Sequence, residues 1–230
     1  MLTAEYDRLK NDYREIFLKT AGEIRAVVES VRPEGFVGDI FKTYKVGSEG
    51  FRWQQSVLSM LDIRYCGYRK SGLRQIQAYR DECNCINCGV CCKFAVSEFS
   101  IDELRLKAEN GDNYAYQFLS VFVPYDNMSE VEKIYPEYIQ MLKDNGESGY
   151  YFYHCPKVTE DNLCSDYENR PQICKDFPDN PIAFLPKNCG FKDWKLKSES
   201  VSLKLNAEAE IINFYKVKIK ELYEWKFFQD

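Results

Sequence analysis

Histidine is almost absent from this chain of 230 residues, because His154 is its one example. Neither a histidine-rich zinc enzyme nor a Cys–His hydrolase can therefore be built except around His154. No uninterrupted apolar run approaches the roughly 20 residues that a membrane-spanning helix requires. The first residues, MLTAEYDRLK, also lack the basic and apolar regions of a signal peptide. We therefore expect a cytoplasmic protein without a membrane partner, whose thiols stay reduced.

An excess of positive charge is also missing, since the formal net charge is −5. The chain as a whole therefore does not favour binding to nucleic acid or to an anionic surface. One basic patch with interspersed tyrosines runs from Arg64 to Arg80, and it could contact phosphate groups. A solvated helix face is a far more common reason for such a pattern. We expect no nucleic-acid partner.

The cysteines are distributed unusually along the chain. Five of the ten cysteines fall within residues 83–92, which read CNCINCGVCC. An even number permits disulfides, but short Cys-x-x-Cys loops make poor structural disulfides and good metal or redox sites. Thiolates are soft ligands that select zinc, Cu(I) or iron–sulfur clusters over Mg²⁺ or Ca²⁺. The sequence therefore predicts a thiolate metal centre.

The spacing leaves the identity of the metal open between zinc and an iron–sulfur cluster. Cys85 and Cys88 form one zinc knuckle, but the second half of the chain has no such pair. Cys85, Cys88 and Cys91 follow the C-x₂-C-x₂-C run of bacterial ferredoxins, and Cys155 before a proline could be the remote fourth ligand. An overlapping run that starts at Cys83 matches the plant-type spacing. Spacing slightly favours iron–sulfur.

Eight cysteines form the predicted pool of metal ligands. They are Cys85, Cys88, Cys91, Cys92, Cys155, Cys164, Cys174 and Cys189. The side chains of the adjacent Cys91 and Cys92 diverge if the backbone is extended, so they would serve different sites or one would face the core. Two four-sulfur sites, or one cluster with additional buried cysteines, both stay open. His154, which abuts Cys155, is a ligand in one interpretation and structural in the commoner one.

Two motifs together resemble a known family. The first is Cys-x-x-Cys-x-x-Cys-Cys at 85–92, and the second is Cys-x-x-Tyr-x-x-Arg-Pro-x-x-Cys-x-x-Phe-Pro at 164–178. They resemble the YkgJ-like cysteine-cluster family, described as a zinc- or iron-chelating domain, over about residues 83–190. The resemblance implies that Arg170 and Tyr167 lie around the bound metal. Arg170 could neutralise thiolate charge, or it could pair with a nearby carboxylate at the surface.

The flagellin lysine methylase is similar in carrying such a cysteine cluster, which implies methyl transfer from S-adenosylmethionine. No glycine-rich loop follows a strand in this sequence, as a cofactor site of that kind would have. Three functional hypotheses therefore stand. They are a metal-binding protein with a redox or protein-modifying role, a zinc-stapled adaptor that binds a protein partner through its terminal helices, and an S-adenosylmethionine-dependent protein lysine methylase.

The pattern outside the cysteines predicts a mainly α fold with a small irregular or β cysteine-rich core, an α+β arrangement. Apolar residues recur at steps of three and four over residues 2–31, and helices are also predicted over about 36–80, 114–122 and 206–228. The aromatic segment 149–156 predicts a strand. The predicted regions are an N-terminal helical region (1–82), the cysteine-cluster domain (83–193, with a helical insertion at about 94–149) and a C-terminal helix (194–230) that packs on the first region.

Local signals predict where two helices of the insertion begin. Ser100 with Glu103 forms a capping box. Ser129 with Glu132 forms a second one, which opens a helix that runs to about residue 144. Pro136 lies inside that stretch, so the helix could instead start there, with proline in its first turn.

Overall fold

A computed structural model describes residues 2–224 of the chain. The helices are α1 (Leu2–Ser30), α2 (Glu49–Asp81), α3 (Val90–Lys93), α4 (Ile101–Glu109), α5 (Asn113–Val121), α6 (Met128–Ile134), α7 (Pro136–Asp144), α8 (Gln172–Asp176) and α9 (Lys192–Glu224). The strands are β1 (Ala95–Ser97), β2 (Val123–Pro124) and β3 (Tyr151–His154). The predicted mainly α fold with a small β element is confirmed. No helix in the described range is both long and apolar enough to cross a membrane.

The described chain divides into two compact units. One contains residues 2–8 and 80–196, and we call it the cysteine unit because it carries the cysteines from Cys83 to Cys189. The other contains residues 9–79 and 197–224, and we call it the helical unit. The divisions fall inside α1, α2 and α9. The domain boundaries at 82/83 and 193/194 stay a sequence prediction.

The helical unit has one apolar core made by three long helices. Ile24, Val28, Ile40, Trp53, Val57, Leu61, Ile211, Ile212 and Ile219 form this core. Trp53 is 1% exposed, and its indole Nε1 donates a hydrogen bond to the carbonyl of Val28, 3.2 Å away. The helix predicted over 2–31 is confirmed as α1, whose apolar spacing supplies this face.

Two helix starts differ from their sequence predictions. Residues 36–48 were predicted to be helical, but α2 begins only at Glu49. Gly47 has a φ of 81°, a left-handed conformation that a continuous helix cannot contain. Helix α9 begins at Lys192 rather than near residue 206. The predicted extension of this helix over 225–228 lies outside the described residues.

The cysteine unit contains an antiparallel sheet in the order β1-β3-β2. The predicted strand at 149–156 is confirmed as β3, where Phe152 and Tyr153 are buried. Phe152 packs with Phe94, with ring centroids 5.4 Å apart, and the N-terminal Leu2 is buried in the same cluster. Strands β1 and β2 were not predicted, because they have only three and two residues and show no alternation.

Helix caps in the cysteine unit follow the sequence signals with one exception. The capping box of Ser100 and Glu103 is present at the start of α4. The second predicted capping box is wrong, because Asn127 caps α6 by accepting a hydrogen bond from the backbone N–H of Ser129. An amide side chain one residue before the helix satisfies this N–H more directly. The alternative start at Pro136 is confirmed as the first residue of α7.

Candidate metal centre

The first cysteine segment makes a tight turn and then a short helix. Asn87 and Gly89 have φ values of 55° and 72°, and this pair of left-handed residues turns the chain between Cys85 and α3. The backbone N–H of Asn87 lies 3.4 Å from the Cys85 Sγ. The carbonyl of Gly89 accepts hydrogen bonds from the N–H groups of the last two residues of α3. The turn therefore presents Cys85 and Cys88 before α3 and Cys91 and Cys92 on it.

Gly89 also allows the loop that precedes Cys164 to approach closely. A Cβ atom at residue 89 would lie only 2.4 Å from the Asn162 Oδ1. The same Oδ1 accepts a hydrogen bond from the Lys93 Nζ at 2.6 Å. A short antiparallel bridge between Val158 and Cys164 closes this loop. These contacts place the Cys164 loop against α3.

Cys155 directly follows strand β3 and lies against helix α3. The backbone N–H of Cys155 donates to the carbonyl of Cys92 at 2.7 Å. The Tyr125 hydroxyl donates to the carbonyl of Lys93 at 2.6 Å, which ties the neighbouring segment to the end of α3. Cys155 is buried, so burial raises the pKa of its thiol.

The last cysteine reaches the first segment through a second glycine. A Cβ atom at Gly190 would lie 2.0 Å from the backbone carbonyl oxygen of Asn84. Only a residue without a side chain permits this approach. The backbones at Gly190 and Asn84 therefore lie in close contact. Cys189 and Cys85 are the sequence neighbours of these two residues, so they lie beside the contact. Each of the two closely packed glycines directly follows a cysteine, a signal in the sequence that could have identified Gly190.

Two thiols, Cys189 and Cys91, have pKa values that Cys85 and Cys88 raise. Burial is the main cause that raises the pKa of Cys189, and the charges of Cys88 and Cys85 raise it further. The hydrogen bond with Cys92 and burial raise the pKa of Cys91, and the charges of Cys92, Cys85 and Cys88 add to the increase. We call these residues the first thiol set. Its members are Cys85, Cys88, Cys91 and Cys189.

Two further thiols, Cys155 and Cys174, have pKa values that Cys92 and Cys164 raise. Burial raises the pKa of Cys174 to about 11, and the charges of Cys155, Cys92 and Cys164 contribute to the increase. The pKa of Cys155 is likewise raised by Cys92 and Cys164, after burial. We call these residues the second thiol set. Its members are Cys92, Cys155, Cys164 and Cys174.

The two sets meet at the adjacent cysteines of α3. The Sγ atoms of Cys91 and Cys92 are 4.0 Å apart. A hydrogen bond from the Cys91 thiol lowers the pKa of Cys92 to about 7, and the positive charges of Arg170 and Lys93 act in the same direction. Cys92 therefore becomes a thiolate more readily than Cys155 or Cys174, whose pKa values are raised.

A cavity open to solvent borders the second thiol set. Its volume is only about 20 Å³, and Cys155, Cys164 and Cys174 line it together with Arg170. The Arg170 guanidinium stacks on the Tyr167 ring, with its carbon 3.7 Å from the ring centroid. Arg170 forms no ion pair with Asp166, whose carboxylate instead binds the Lys157 Nζ at 2.6 Å. Arg170 thus lies beside the second set, with Tyr167 beneath it.

The remaining candidates lie elsewhere. His154 belongs to β3, where it pairs with Val123 and stacks on Tyr125, with ring centroids 4.6 Å apart. Cys66 is exposed on α2, and Cys83 follows that helix. All ten cysteines are free thiols. The spacing rules applied to the sequence did not find Lys93 or Asn162, because neither belongs to a ligand motif.

The donor atoms suit a soft metal, because all eight predicted ligands are free thiols and Arg170 and Lys93 place positive charge near Cys92. Within residues 2–224, however, no three Cys, His, Asp or Glu side chains are grouped so that they could hold an ion as they stand. The assignment of the eight ligands therefore stays a prediction.

Comparison with known proteins identifies the same segment. Residues 84–197 match the CxxCxxCC family, described as a putative zinc- or iron-chelating domain. The matched residues contain all eight predicted ligands. No curated protein and no solved structure matches the chain.

Proposed function

We propose that the cysteine unit binds two metal ions in two adjoining sites of four thiolates each. The first thiol set would hold one ion and the second thiol set the other. Two backbone contacts support this division: Gly190 passes close to the Asn84 carbonyl, which brings Cys189 near Cys85, and the N–H of Cys155 donates to the carbonyl of Cys92. In agreement, Cys85 and Cys88 raise the pKa of Cys189, and Cys92, Cys155 and Cys164 raise that of Cys174. Four sulfur ligands are the number that a structural zinc site requires.

Zinc is the metal that this arrangement favours. Four thiolates around Zn²⁺ leave two excess negative charges at each site, and such charges need nearby cations. Arg170 and Lys93 lower the pKa of Cys92, so they supply positive charge where the sets meet. An iron–sulfur cluster is the second candidate, because Cys85, Cys88 and Cys91 keep the ferredoxin spacing. A bound zinc ion would supply structural cross-linking, while a cluster would supply redox chemistry.

The chain between β3 and α9 supports a structural role for the metal. Over residues 155–191 it forms one helix, α8, of five residues. Loops of this length without their own secondary structure are uncommon in compact domains unless something fixes them. Three members of the second thiol set and Cys189 lie on this segment. Metal binding would therefore contribute directly to the folding of the cysteine unit.

The test is anaerobic purification followed by elemental analysis for zinc, iron and labile sulfide, with a visible absorption spectrum. We expect two zinc ions per chain and no colour. A brown protein that contains iron and sulfide would show that the thiolates hold an iron–sulfur cluster and not zinc. Metal-free protein, produced in medium that contains both metals, would contradict the proposal.

Serine variants test the division into two sites. Cys88→Ser and Cys174→Ser should each reduce the stoichiometry from two ions to one, because each removes a ligand of a different set. Cys66→Ser is the matched control and should retain both ions, since Cys66 is exposed on α2. If Cys88→Ser alone removes all the metal, the two-site division is wrong. If all three variants retain the same metal, the ligand assignment is wrong.

A further inference from the structure

Arg80 holds a segment that lies just after a predicted metal ligand. It occupies the last turn of α2 in the cysteine unit, four residues before the segment that matches the family. Its Nη2 group donates to the carbonyls of Lys175 and Asp176 at 2.9 and 2.8 Å. Longer contacts of 3.3 Å from Nη2 and 3.2 Å from Nε reach the next two carbonyls, of Phe177 and Pro178.

These carbonyls need an external donor. Helix α8 has five residues, and the last carbonyls of a helix have no partner within it. Pro178 has no N–H group, so the chain that follows is poorly suited to satisfy them. A guanidinium carries several N–H groups in a fixed plane and can bridge consecutive acceptors, which an ammonium group on a flexible stem does less well. The conformation after Cys174 therefore depends on Arg80.

The same side chain contacts the segment after Cys189. The guanidinium carbon of Arg80 lies 5.3 Å from the centroid of the Phe191 ring, a cation–π contact. The carbonyl of Arg80 also accepts a hydrogen bond from the N–H of Cys83, at 2.9 Å. One residue therefore touches the chain beside ligands of both thiol sets.

We propose that Arg80 is a positioning residue that holds Cys174 and Cys189 in place for metal binding. The proposal rests on the proposed metal-binding function. Arg80 acts through the backbone and not as a ligand, as do other groups that orient metal ligands from outside the coordination sphere. Because most of its hydrogen bonds hold the segment after Cys174, the ion in the second thiol set should depend on it more strongly than the ion in the first.

The experiment measures the release of bound zinc to an excess of a chromophoric chelator. Loss of an outer group around a metal typically weakens binding by about 10- to 100-fold. We expect one of the two ions to leave about 10- to 100-fold faster from Arg80→Ala than from the unaltered protein. Arg80→Lys keeps the charge but loses the planar donors, so it should also release this ion faster. Arg74→Ala, an exposed arginine on the same helix, is the matched control and should release zinc at the unaltered rate.

The possible results separate the two proposals. If the unaltered protein contains no metal, the proposed function fails. If it contains zinc and both Arg80 variants release it at the unaltered rate, the role of Arg80 is refuted while metal binding stands. If Arg80→Lys behaves like the unaltered protein and only Arg80→Ala is fast, charge rather than hydrogen-bond geometry is responsible, and the positioning role is refuted. If Arg80→Ala does not fold, the release rate of Arg80→Lys decides alone.

Discussion

Replacing Gly190 by alanine should specifically disturb the first thiol set. The added Cβ would lie 2.0 Å from the Asn84 carbonyl oxygen, whereas ordinary contacts begin at 3.4 Å. Real Cβ contacts essentially never fall below 3.0 Å, so the two backbones must separate by at least about 1 Å. Metal–ligand distances tolerate only about 0.2 Å. Because Cys189 is adjacent to the altered residue, it should move too far to share an ion with Cys85.

Two measurements on Gly190→Ala follow from this displacement. Crowding of a well-packed contact typically costs about 1–3 kcal/mol, so the free energy of unfolding of the metal-free protein should fall by that amount in urea titration. The purified protein should retain one zinc ion in place of two, because the second thiol set is not displaced.

Gly67→Ala provides the matched control. Residue 67 is exposed in α2, and an added Cβ there would meet no atom within 4 Å. This variant should keep both ions and should gain stability, because alanine favours the helix by up to about 1 kcal/mol over glycine. If Gly190→Ala keeps two ions and its unfolding free energy is unchanged, the close approach of Cys189 to Cys85 is refuted.

Three further predictions concern polar contacts away from the thiols. Arg64→Ala should lower the unfolding free energy by about 3–5 kcal/mol, because it leaves the fully buried carboxylate of Glu208 without its 2.7 Å partner; the double variant with Glu208→Leu should recover part of the loss. Burial tends to raise the pKa of Glu23, but Lys204 and Arg64 outweigh it and lower the pKa below 4.5. A lowered pKa stabilises the fold above the unfolded-state value of 4.5, and the stabilisation is lost as pH falls through the folded-state pKa. Glu23→Gln should therefore be less stable than the unaltered protein at pH 7, and the difference should shrink as the pH falls below 4.5 towards 3. An equal difference at both pH values would contradict this ion pair. Ser100→Ala should cost about 1 kcal/mol through loss of the α4 cap, measurable by urea titration, and Ser100→Asp should restore most of it.

The helices that the sequence predicted are those whose signals are local. Periodicity identified α1, and proline and the capping box identified the starts of α7 and α4. The early start of α9 was hidden because Lys195, Ser198 and Ser202 are buried in its first half, so polar residues occupy positions that periodicity assigns to apolar ones. The burial of these polar side chains depends on tertiary contacts, so the periodicity of apolar residues in a single sequence does not reveal it.

Spacing predicts the pool of eight ligands, but it does not predict which thiols lie near one another. Cys85 and Cys88 are neighbours in the sequence, so their proximity follows from the turn at Gly89. The proximity of Cys189 to this pair depends on a backbone contact across about 100 residues, between Asn84 and Gly190. Residues such as Arg80 and Asn162 act through contacts with distant carbonyls and side chains. No short motif records such contacts.

The cysteine unit is discontinuous in the chain, and this has a consequence for how it can be made. Residues 2–8 belong to it, and Tyr6 stacks on Phe184 with ring centroids 6.2 Å apart. During synthesis the first turns of α1 therefore leave the ribosome long before their partner exists. A fragment limited to residues 84–197 would also begin without Leu2 and Tyr6, and would expose the aromatic surface that they cover. Residues 84–197 therefore lack part of the unit that surrounds the cysteines, and this unit can be completed only after the chain has been made as far as residue 196.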